Sequence, residues 1–151
     1  MIELVELNED NFFEARALSA AEDQKGFLDC ALGIIARGYI YRDSRARVIG
    51  ISEDGKLIGL ALVKDMDEEP ACYDLQQFMI DREYQGRGSG TEALKLILDD
   101  LSNERKYGCV EVCVKNTDLA ALRVYEKAGF EDTCYIDPDA PDCLNLMYYF
   151  K

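Results

Sequence analysis

The chain has 151 residues, and its 30 acidic side chains against 17 lysines and arginines give a net charge of −13. A hydrophobic fraction of 48% and a charged fraction of 31% are typical of one globular domain. The negative charge argues against a surface that neutralises duplex phosphates, so we expect no nucleic-acid partner. A cationic small molecule fits the charge better, and solubility alone is an equally good reason for it.

The chain contains no histidine, which removes several kinds of catalytic site. A Ser-His-Asp triad, a Cys-His dyad, an imidazole base and a zinc site with histidine ligands are all excluded. The cysteines lack C-x-x-C spacing, which favours free thiols in a reducing compartment and no bound metal. The six are Cys30, Cys72, Cys109, Cys113, Cys134 and Cys143.

The N-terminal sequence gives no sign of targeting. Met1-Ile-Glu-Leu-Val-Glu carries neither the basic segment nor the apolar run of a signal peptide, and no apolar stretch approaches membrane-spanning length. We therefore expect a cytoplasmic protein without a membrane partner. No repeat, low-complexity block or linker divides the chain, which predicts a single domain over residues 1–151.

The N-terminal third is predicted to form one strand followed by two helices. Ile2 to Leu7 alternates apolar and acidic residues, as a half-buried strand does. Capping residues between Asn8 and Asn11 predict a helix that continues to about Ala21. A second helix is predicted to end at Gly38, because apolar residues before it recur at helical spacing. Those residues are Phe27, Leu28, Ala31, Leu32 and Ile35.

The middle of the chain is rich in strands. Arg47 to Ser52 and Lys56 to Val63 are β-rich runs joined by Glu53-Asp-Gly55, and Asp-Gly is a strong signal for a hairpin turn. A further extended run covers Ala71 to Ile80. It leads into the glycine-rich stretch of residues 85–90.

The C-terminal half predicts a strand–helix–strand crossover. A helix is indicated by apolar residues at helical spacing between Leu94 and Leu101, with Gly108 closing the segment. Val110 to Val114 reads as a strand. Asn116 or Thr117 caps another helix, which ends at Gly129, and Cys143 to Phe150 forms a final strand.

The stretch Gln85-Gly-Arg-Gly-Ser-Gly90 is the most informative part of the chain. Glycines between a strand and a helix let backbone N–H groups converge at the helix N-terminus, where unpaired donors and the helix dipole attract phosphate oxygens. Arg82 and Lys95 make the surroundings locally basic. The stretch fits neither the P-loop pattern nor G-x-G-x-x-G, so it predicts an anion site of another kind.

At this point the sequence resembles the GNAT superfamily of acetyl-CoA-dependent N-acetyltransferases. Its signature, Gln/Arg-x-x-Gly-x-Gly/Ala after the fourth strand, is matched by Gln85, Gly88 and Gly90. A second block of the family, beginning at an asparagine, is similar to Asn116 followed by residues 120–130. By pattern the resemblance covers most of residues 46–130.

The resemblance implies a single-domain α/β (α+β) fold with a mixed, mostly antiparallel sheet and helices on both faces. A splayed parallel pair, the fourth and fifth strands, then holds the cosubstrate acetyl-CoA. Phe78, Met79 and Ile80 match the positions beside its pantetheine arm, with an N–H near Met79 stabilising the oxyanion. Asn116 is carried over as a further cofactor contact. The residues matching the pyrophosphate loop are Gln85, Gly86, Arg87, Gly88, Ser89 and Gly90.

Two catalytic residues follow from the same resemblance. Tyr125 matches a tyrosine that protonates the departing thiolate, and a phenol is protonated at neutral pH as this role requires. A core aromatic is the alternative interpretation of Tyr125. Asp74 is the predicted general base, because along an ideal strand it shares a face with Phe78 and Ile80. A solvated edge residue is the alternative for Asp74, and aspartates and glutamates elsewhere remain candidates for the base.

A finer resemblance concerns the acceptor. Residues 77–90, with Gln24-x-x-Phe27, are similar to the bacterial spermine/spermidine acetyltransferases, although Gln76 and Gln77 depart from the charged residues usual there. A polyamine such as spermidine or spermine is therefore the predicted acceptor. The N-terminal acidic residues would attract such a cation. They are Glu3, Glu6, Glu9, Asp10, Glu14, Glu22, Asp23 and Asp29.

Three alternatives stay open at this point. The acceptor could be a protein N-terminus or lysine, or an aminoglycoside, and the chain could be a non-catalytic CoA-binding module. Homodimers are common in the family, which makes a second copy of the chain a candidate partner.

Overall fold

The computed structural model describes residues 1–151, and its seven strands form one mixed sheet in the order β1-β2-β3-β4-β5-β7-β6. All neighbouring strands pair antiparallel except β4 and β5, which run parallel. The predicted mixed, mostly antiparallel sheet is therefore confirmed. The strands are β1 (Ile2–Glu6), β2 (Arg47–Glu53), β3 (Lys56–Met66), β4 (Cys72–Ile80), β5 (Cys109–Lys115), β6 (Glu131–Asp132) and β7 (Cys143–Tyr149).

Four helices cover the sheet, and the prediction of helices on both faces is confirmed. Helices α1 (Phe12–Arg16) and α2 (Ala31–Ile40) bury apolar residues against one face of the central strands. Helices α3 (Ser89–Glu104) and α4 (Leu119–Ala128) bury theirs against the opposite face, where the larger core lies. None of the helices has the length and apolar character needed to cross a bilayer.

The hairpin between β2 and β3 forms where the Asp-Gly pair predicts it. Asp54 and Gly55 adopt φ values of 51° and 84°, so both central residues lie in the left-handed region that a tight two-residue hairpin turn requires. The strand before this turn ends at Glu53, whose side chain becomes important at the functional site.

The first helix is much shorter than predicted. It ends at Arg16, although the sequence pattern continues to Ala21. The Ser19 N–H donates to Asp81 Oδ2 at 2.9 Å, and the Arg82 N–H donates to the Ser19 carbonyl at 2.9 Å. These bonds hold residues 17–21 against the end of β4, so tertiary contacts override the local helical preference.

The second helix is shifted along the chain relative to the prediction. It begins at Ala31, leaves Phe27 and Leu28 outside, and continues past Gly38 to Ile40. A Cβ at Gly38 would lie 2.7 Å from a methyl group of Val48 on β2. The glycine is therefore a close-packing position between helix and sheet, and its prediction as a helix end was wrong.

The later helices differ from the predictions only at their ends. Helix α3 ends at Glu104, and Arg105 caps it with φ 59° before Gly108 is reached. Asp118 caps α4 by accepting a hydrogen bond from the Ala121 N–H at 3.2 Å, in place of the predicted Asn116 or Thr117. Gly129, with φ 111°, ends α4 as predicted.

A buried carboxylate links β3 to the segment after α3. Asp65 is 5% exposed and accepts hydrogen bonds from Arg45 Nε at 2.7 Å and Lys106 Nζ at 2.8 Å. Burial alone raises the pKa of Asp65, but the two cations outweigh this effect and lower the pKa to about 2. Asp65 is therefore charged in the folded protein at all ordinary pH values.

Candidate active site

The parallel strands β4 and β5 separate soon after they meet. Only Tyr73–Val110 and Asp74–Glu111 are paired in the ladder, so the rest of β4 has no neighbour on that side. The gap opens into a cavity of about 420 Å³, lined from β4 by Phe78 among others and from β5 by residues 112–115. This confirms the splayed parallel pair.

The free edge of β4 turns backbone groups toward this cavity. The Asp81 N–H donates to the Ile58 carbonyl of β3 at 2.7 Å, and the Ile80 carbonyl, on the other side, accepts from Gln85 Nε2 at 2.8 Å. Because strand residues alternate in the direction of their peptide groups, the N–H groups of Ile80 and Phe78 face the gap. Both side chains also line the cavity.

Met79 does not face the cavity, which corrects one of the predicted cofactor positions. Its carbonyl points at β3, where it closely approaches the position a Cβ would take on Gly59. Its side chain is 1% exposed and packs in the core beneath α1 and α2. The backbone N–H groups that face the gap are therefore those of Phe78 and Ile80, on either side of Met79.

The glycine-rich loop lies at one end of the cavity. Gly86, Gly88 and Gly90 line it, and Gly86 and Gly88 adopt φ values of 73° and 84° that glycine tolerates without strain. The first bond within α3 runs from the Glu92 N–H to the Gly88 carbonyl, which leaves the N–H groups of residues 89–91 without helical partners. This arrangement of donors suits a phosphate group.

The Gln85 side chain fixes the front of this loop. Its Nε2 donates to the Ile80 carbonyl at 2.8 Å and to Gln24 Oε1 at 2.7 Å. The loop is thereby joined both to β4 and to the segment between α1 and α2. Gln24 and Phe27 from that segment also line the cavity, as the early Gln-x-x-Phe pattern suggested.

The side chains of Arg87 and Ser89 point away from the cavity. Both donate to the Glu53 carboxylate at the end of β2, Ser89 Oγ at 2.8 Å, and the Arg87 guanidinium also lies over the Tyr84 ring. In this structure the two residues can therefore offer an anion only their backbone N–H groups. The sequence reasoning missed Glu53, which was seen only as the residue before a hairpin turn.

Tyr125 forms part of the cavity wall and part of the core. It is 8% exposed, and its ring packs at 5.3 Å from Phe130 and 6.5 Å from Phe78. Burial, together with the Asp118 carboxylate, raises its pKa well above the ordinary value. The raised pKa keeps the hydroxyl protonated at neutral pH, and the hydroxyl has no hydrogen-bond partner within the protein.

Asp74 does not share a face of the sheet with Phe78, so this prediction was wrong. Their partners on β3, Lys64 and Ala61, are three residues apart, whereas Asp74 and Phe78 are four apart, because Gln76 is an extra residue in β4. This β-bulge reverses the alternation, so Asp74 lies on the face of α1 and α2. Tyr125 packs on the opposite face, and the gap between β4 and β5 separates the two side chains.

Asp74 lies beside a second carboxylate that the sequence reasoning did not single out. It is paired in register with Glu111 of β5, and its Oδ2 lies 3.5 Å from Lys64 Nζ. Burial raises the pKa of Asp74 against the opposing effect of Lys64. Burial, and then the charge of Asp74, raises the pKa of Glu111. The Asp137 carboxylate adds further negative potential at Glu111.

Cys113 lies on β5 between the acidic pair and the cavity. It follows Glu111 by two residues on β5, so both side chains lie on the same face, and Cys113 lines the cavity together with Cys143. Cys113 is exposed, yet the partial desolvation of its thiol and then the contact with Cys143 raise its pKa to about 12. Its thiol is therefore protonated and a poor nucleophile at neutral pH.

Asn116, a further predicted cofactor contact, lies at the margin of the cavity. It is exposed and does not line the cavity, although Lys115 and Asp118 on either side of it do. Its backbone N–H donates to the Asp142 carbonyl at 2.8 Å. A cofactor role for its side chain stays a prediction.

The N-terminal acidic residues do not gather at the cavity. Glu3 lies on β1 at the far edge of the sheet, Glu14 accepts a hydrogen bond from the Leu57 N–H at 2.6 Å, and Asp29 pairs with Arg37 at 2.9 Å. The acidic residue that lines the cavity is Asp118, and Asp74 and Glu111 lie where the gap begins. None of the eight acidic side chains among residues 1–29 lines the cavity, so their charge is not evidence for a cationic acceptor.

The family model for the Acetyltransferase (GNAT) family matches residues 2–130. The chain belongs to this family. Acetyl-CoA is the cosubstrate of the GNAT family, and the open glycine loop, the free helix donors and the gap beside β4 fit its phosphates and its extended arm.

Curated and solved relatives agree on this GNAT fold. The chain is 28% identical over 88 residues to the spermine/spermidine N(1)-acetyltransferase of Bacillus subtilis, and the match spans 55% of the chain and 58% of that relative's length. Aminoglycoside acetyltransferase AAC(6')-Ib, solved in complex with coenzyme A, superposes with a TM-score of 0.81 at 18% identity, over 99% of the chain and 95% of that structure. Spermidine N-acetyltransferase from Vibrio cholerae, solved with CoA and spermine, gives 0.74 at 16%, over 98% and 95%.

Proposed function

We propose that this chain is an acetyl-CoA-dependent N-acetyltransferase that acetylates a primary amine, and that the amine is a polyamine such as spermidine or spermine. The observation that carries the proposal is the gap between β4 and β5. The free edge of β4, the backbone of the glycine loop and the Tyr125 side chain line this gap, and the paired carboxylates Asp74 and Glu111 lie where the gap begins, on the other face of the sheet.

Each end of the gap has a separate task in binding acetyl-CoA. The backbone N–H groups of residues 86–91 receive the pyrophosphate at the N-terminus of α3. The free edge of β4 receives the pantetheine arm in the manner of an added strand. Bound there, the cosubstrate supplies a thioester that is activated for transfer to an amine. The N–H groups of Phe78 and Ile80 stabilise the negative charge that develops on the thioester oxygen.

The reaction is a direct transfer in a complex of both substrates. The amine nitrogen forms a bond to the acetyl carbon, the carbon–sulfur bond breaks, and the departing thiolate takes a proton from the Tyr125 hydroxyl. The nitrogen loses its second proton as the amide forms, and this proton, passed on through solvent, restores the Tyr125 hydroxyl. An acetyl-cysteine route through Cys113 is disfavoured, because that thiol keeps its proton at neutral pH.

Asp74 is the proposed acceptor of the amine proton. A primary ammonium must lose a proton before its nitrogen can attack, and the raised pKa of Asp74 makes its carboxylate a better base than an exposed aspartate. Asp74 and Tyr125 lie on opposite faces of the sheet. The amine therefore approaches from the face of α2 while the proton for the thiolate is supplied from the face of α4.

The polyamine assignment depends on the charges of that acceptor face. Asp74, Glu111 and Asp137 carry negative charge there, and only Asp74 has a direct cationic partner, Lys64. A linear molecule with several ammonium groups can contact more than one of these carboxylates. The similarity to the Bacillus spermine/spermidine enzyme supports the same assignment.

Aminoglycosides are the second candidate, because they are also polycations and the chain superposes well on an aminoglycoside acetyltransferase. The deciding experiment is a thiol-release assay with acetyl-CoA against spermidine, spermine, diamines, a lysine peptide and kanamycin, at low and at moderate salt. Turnover confined to polyamines, with a KM that rises with salt, supports the proposal. Turnover on kanamycin or the peptide alone would support the acetyltransferase activity and reject a polyamine as the acceptor.

Direct binding of CoA, measured by calorimetry, completes this experiment. CoA binding without turnover on any amine would identify a non-catalytic binding module. Absence of CoA binding would reject the proposed function altogether, since the loop and the strand edge would then have no ligand.

A further inference from the structure

A carboxylate from the hairpin between β2 and β3 contacts two side chains of the glycine loop, on the side away from the cavity. Glu53, at the end of β2, accepts a hydrogen bond from Ser89 Oγ at 2.8 Å and forms an ion pair with Arg87. Its side chain is 20% exposed and Ser89 is 4% exposed, so the Ser89 contact is largely withdrawn from water, whereas the Arg87 side chain is 49% exposed. Glu53 itself does not line the cavity.

The loop has little else to define its shape. No atom lies within 4 Å of the positions that a Cβ would take on Gly86 and Gly88, and both residues use the left-handed conformations that make glycine segments costly to order. Gln85 fixes the loop at the front through Ile80 and Gln24. The contacts of Glu53 form the second fixed point, on the opposite side of the loop.

We propose that Glu53 is a positioning residue for acetyl-CoA binding. By holding Arg87 and Ser89 from behind, it keeps the loop and the first turn of α3 in the conformation whose N–H groups receive the pyrophosphate. This inference rests on the proposed function, because it assumes that the loop binds CoA. Glu53 touches neither substrate, and its effect is exerted through the loop.

An alternative role for Glu53 predicts the opposite change in CoA affinity when its carboxylate is removed. The Glu53 carboxylate could instead act as an internal rival that keeps the Arg87 guanidinium away from the phosphates. Removing the carboxylate would then release a cation for the ligand and tighten binding, whereas removing a positioning contact weakens it. The direction of the change in CoA affinity therefore separates the two arrangements.

The test compares Glu53→Ala, Glu53→Gln and the control Asp54→Asn with the parent protein. Asp54 is the next residue of the same hairpin and accepts its hydrogen bond from the Met1 amino group, not from the loop. For Glu53→Ala we expect the Kd of CoA and the KM of acetyl-CoA to rise about tenfold, with kcat changed less than about twofold. Glu53→Gln, which still accepts from Ser89, should lie between, and Asp54→Asn should match the parent.

A truncated substrate makes the test specific to the loop. S-acetylpantetheine lacks the pyrophosphate, so the parent and Glu53→Ala should use it with the same kcat/KM. Equal or tighter CoA binding in the two Glu53 variants would overturn the inference, and so would an equal loss on both substrates, which indicates general damage to the fold.

Two further results keep the inference separable from misfolding and from the proposed function. If Glu53→Ala does not fold, Ser89→Ala removes one of the two contacts, and an unchanged Kd for CoA in that variant overturns the inference. If the parent protein itself binds no CoA, the proposed function fails before Glu53 is tested.

Discussion

Replacing Tyr125 by phenylalanine should abolish most of the turnover while leaving the fold and the CoA affinity intact. The tyrosine ring packs against Phe130 and Phe78, and phenylalanine keeps these contacts. The hydroxyl makes no hydrogen bond within the protein, so its loss leaves no buried partner unsatisfied, and stability should change by less than about 1 kcal/mol. Loss of a general acid lowers kcat by about 10²- to 10⁴-fold.

The assay measures CoA release under saturating acetyl-CoA and spermidine, together with the Kd of CoA and the thermal midpoint of unfolding. Because burial raises the pKa of Tyr125, the parent kcat should show no alkaline decline from this residue below the ordinary tyrosine value of about 10. A kcat in Tyr125→Phe within about twofold of the parent would refute the general-acid role and leave Tyr125 as a core aromatic.

Three further predictions concern the carboxylates. Asp74→Asn should lower kcat/KM for spermidine and remove the acidic limb of its pH profile, which in the parent rises with pH through the raised pKa of Asp74; an unchanged limb would point to another base. Glu111→Gln should raise the KM of spermine and weaken its salt dependence while leaving the KM of acetyl-CoA unchanged, and a higher KM for both substrates would argue against a role in acceptor binding. Asp65, with a folded pKa of about 2 against an ordinary 3.8, stabilises the fold above about pH 4 and loses that effect as the pH falls toward 2; it contributes about 2 kcal/mol. Urea unfolding at several pH values should show this loss in the parent and not in Asp65→Asn.

The parts of the fold that depend on local chemistry could be predicted from the sequence. The hairpin at Asp54 and Gly55 and the end of α4 at Gly129 require positive φ, and glycine next to a pattern of strand or helix residues signals this directly. The glycine loop at the start of α3 was found for the same reason. In each case the deciding interaction lies within a few residues along the chain.

Features that depend on contacts between distant segments could not be predicted. The bulge at Gln76 changes the face of the sheet on which Asp74 lies, and no residue type in β4 indicates that a bulge forms there. Gly38 looks like a helix end by composition, yet it is a packing position against Val48. Likewise Glu53 becomes part of the site only because the hairpin lies against the loop.

Because β4 and β5 pair only briefly, the sheet consists of two hydrogen-bonded ladders of unequal size. Strands β1 to β4 form one continuous ladder and β5 to β7 another, and two residue pairs join them. A ligand that hydrogen-bonds along the open edge of β4 fills the missing place between these pieces and excludes water from peptide groups that are otherwise hydrated. Binding should therefore slow amide hydrogen exchange in β4 and raise the free energy of unfolding by mass action. While it is bound, the cosubstrate would occupy the position of an additional strand beside β4.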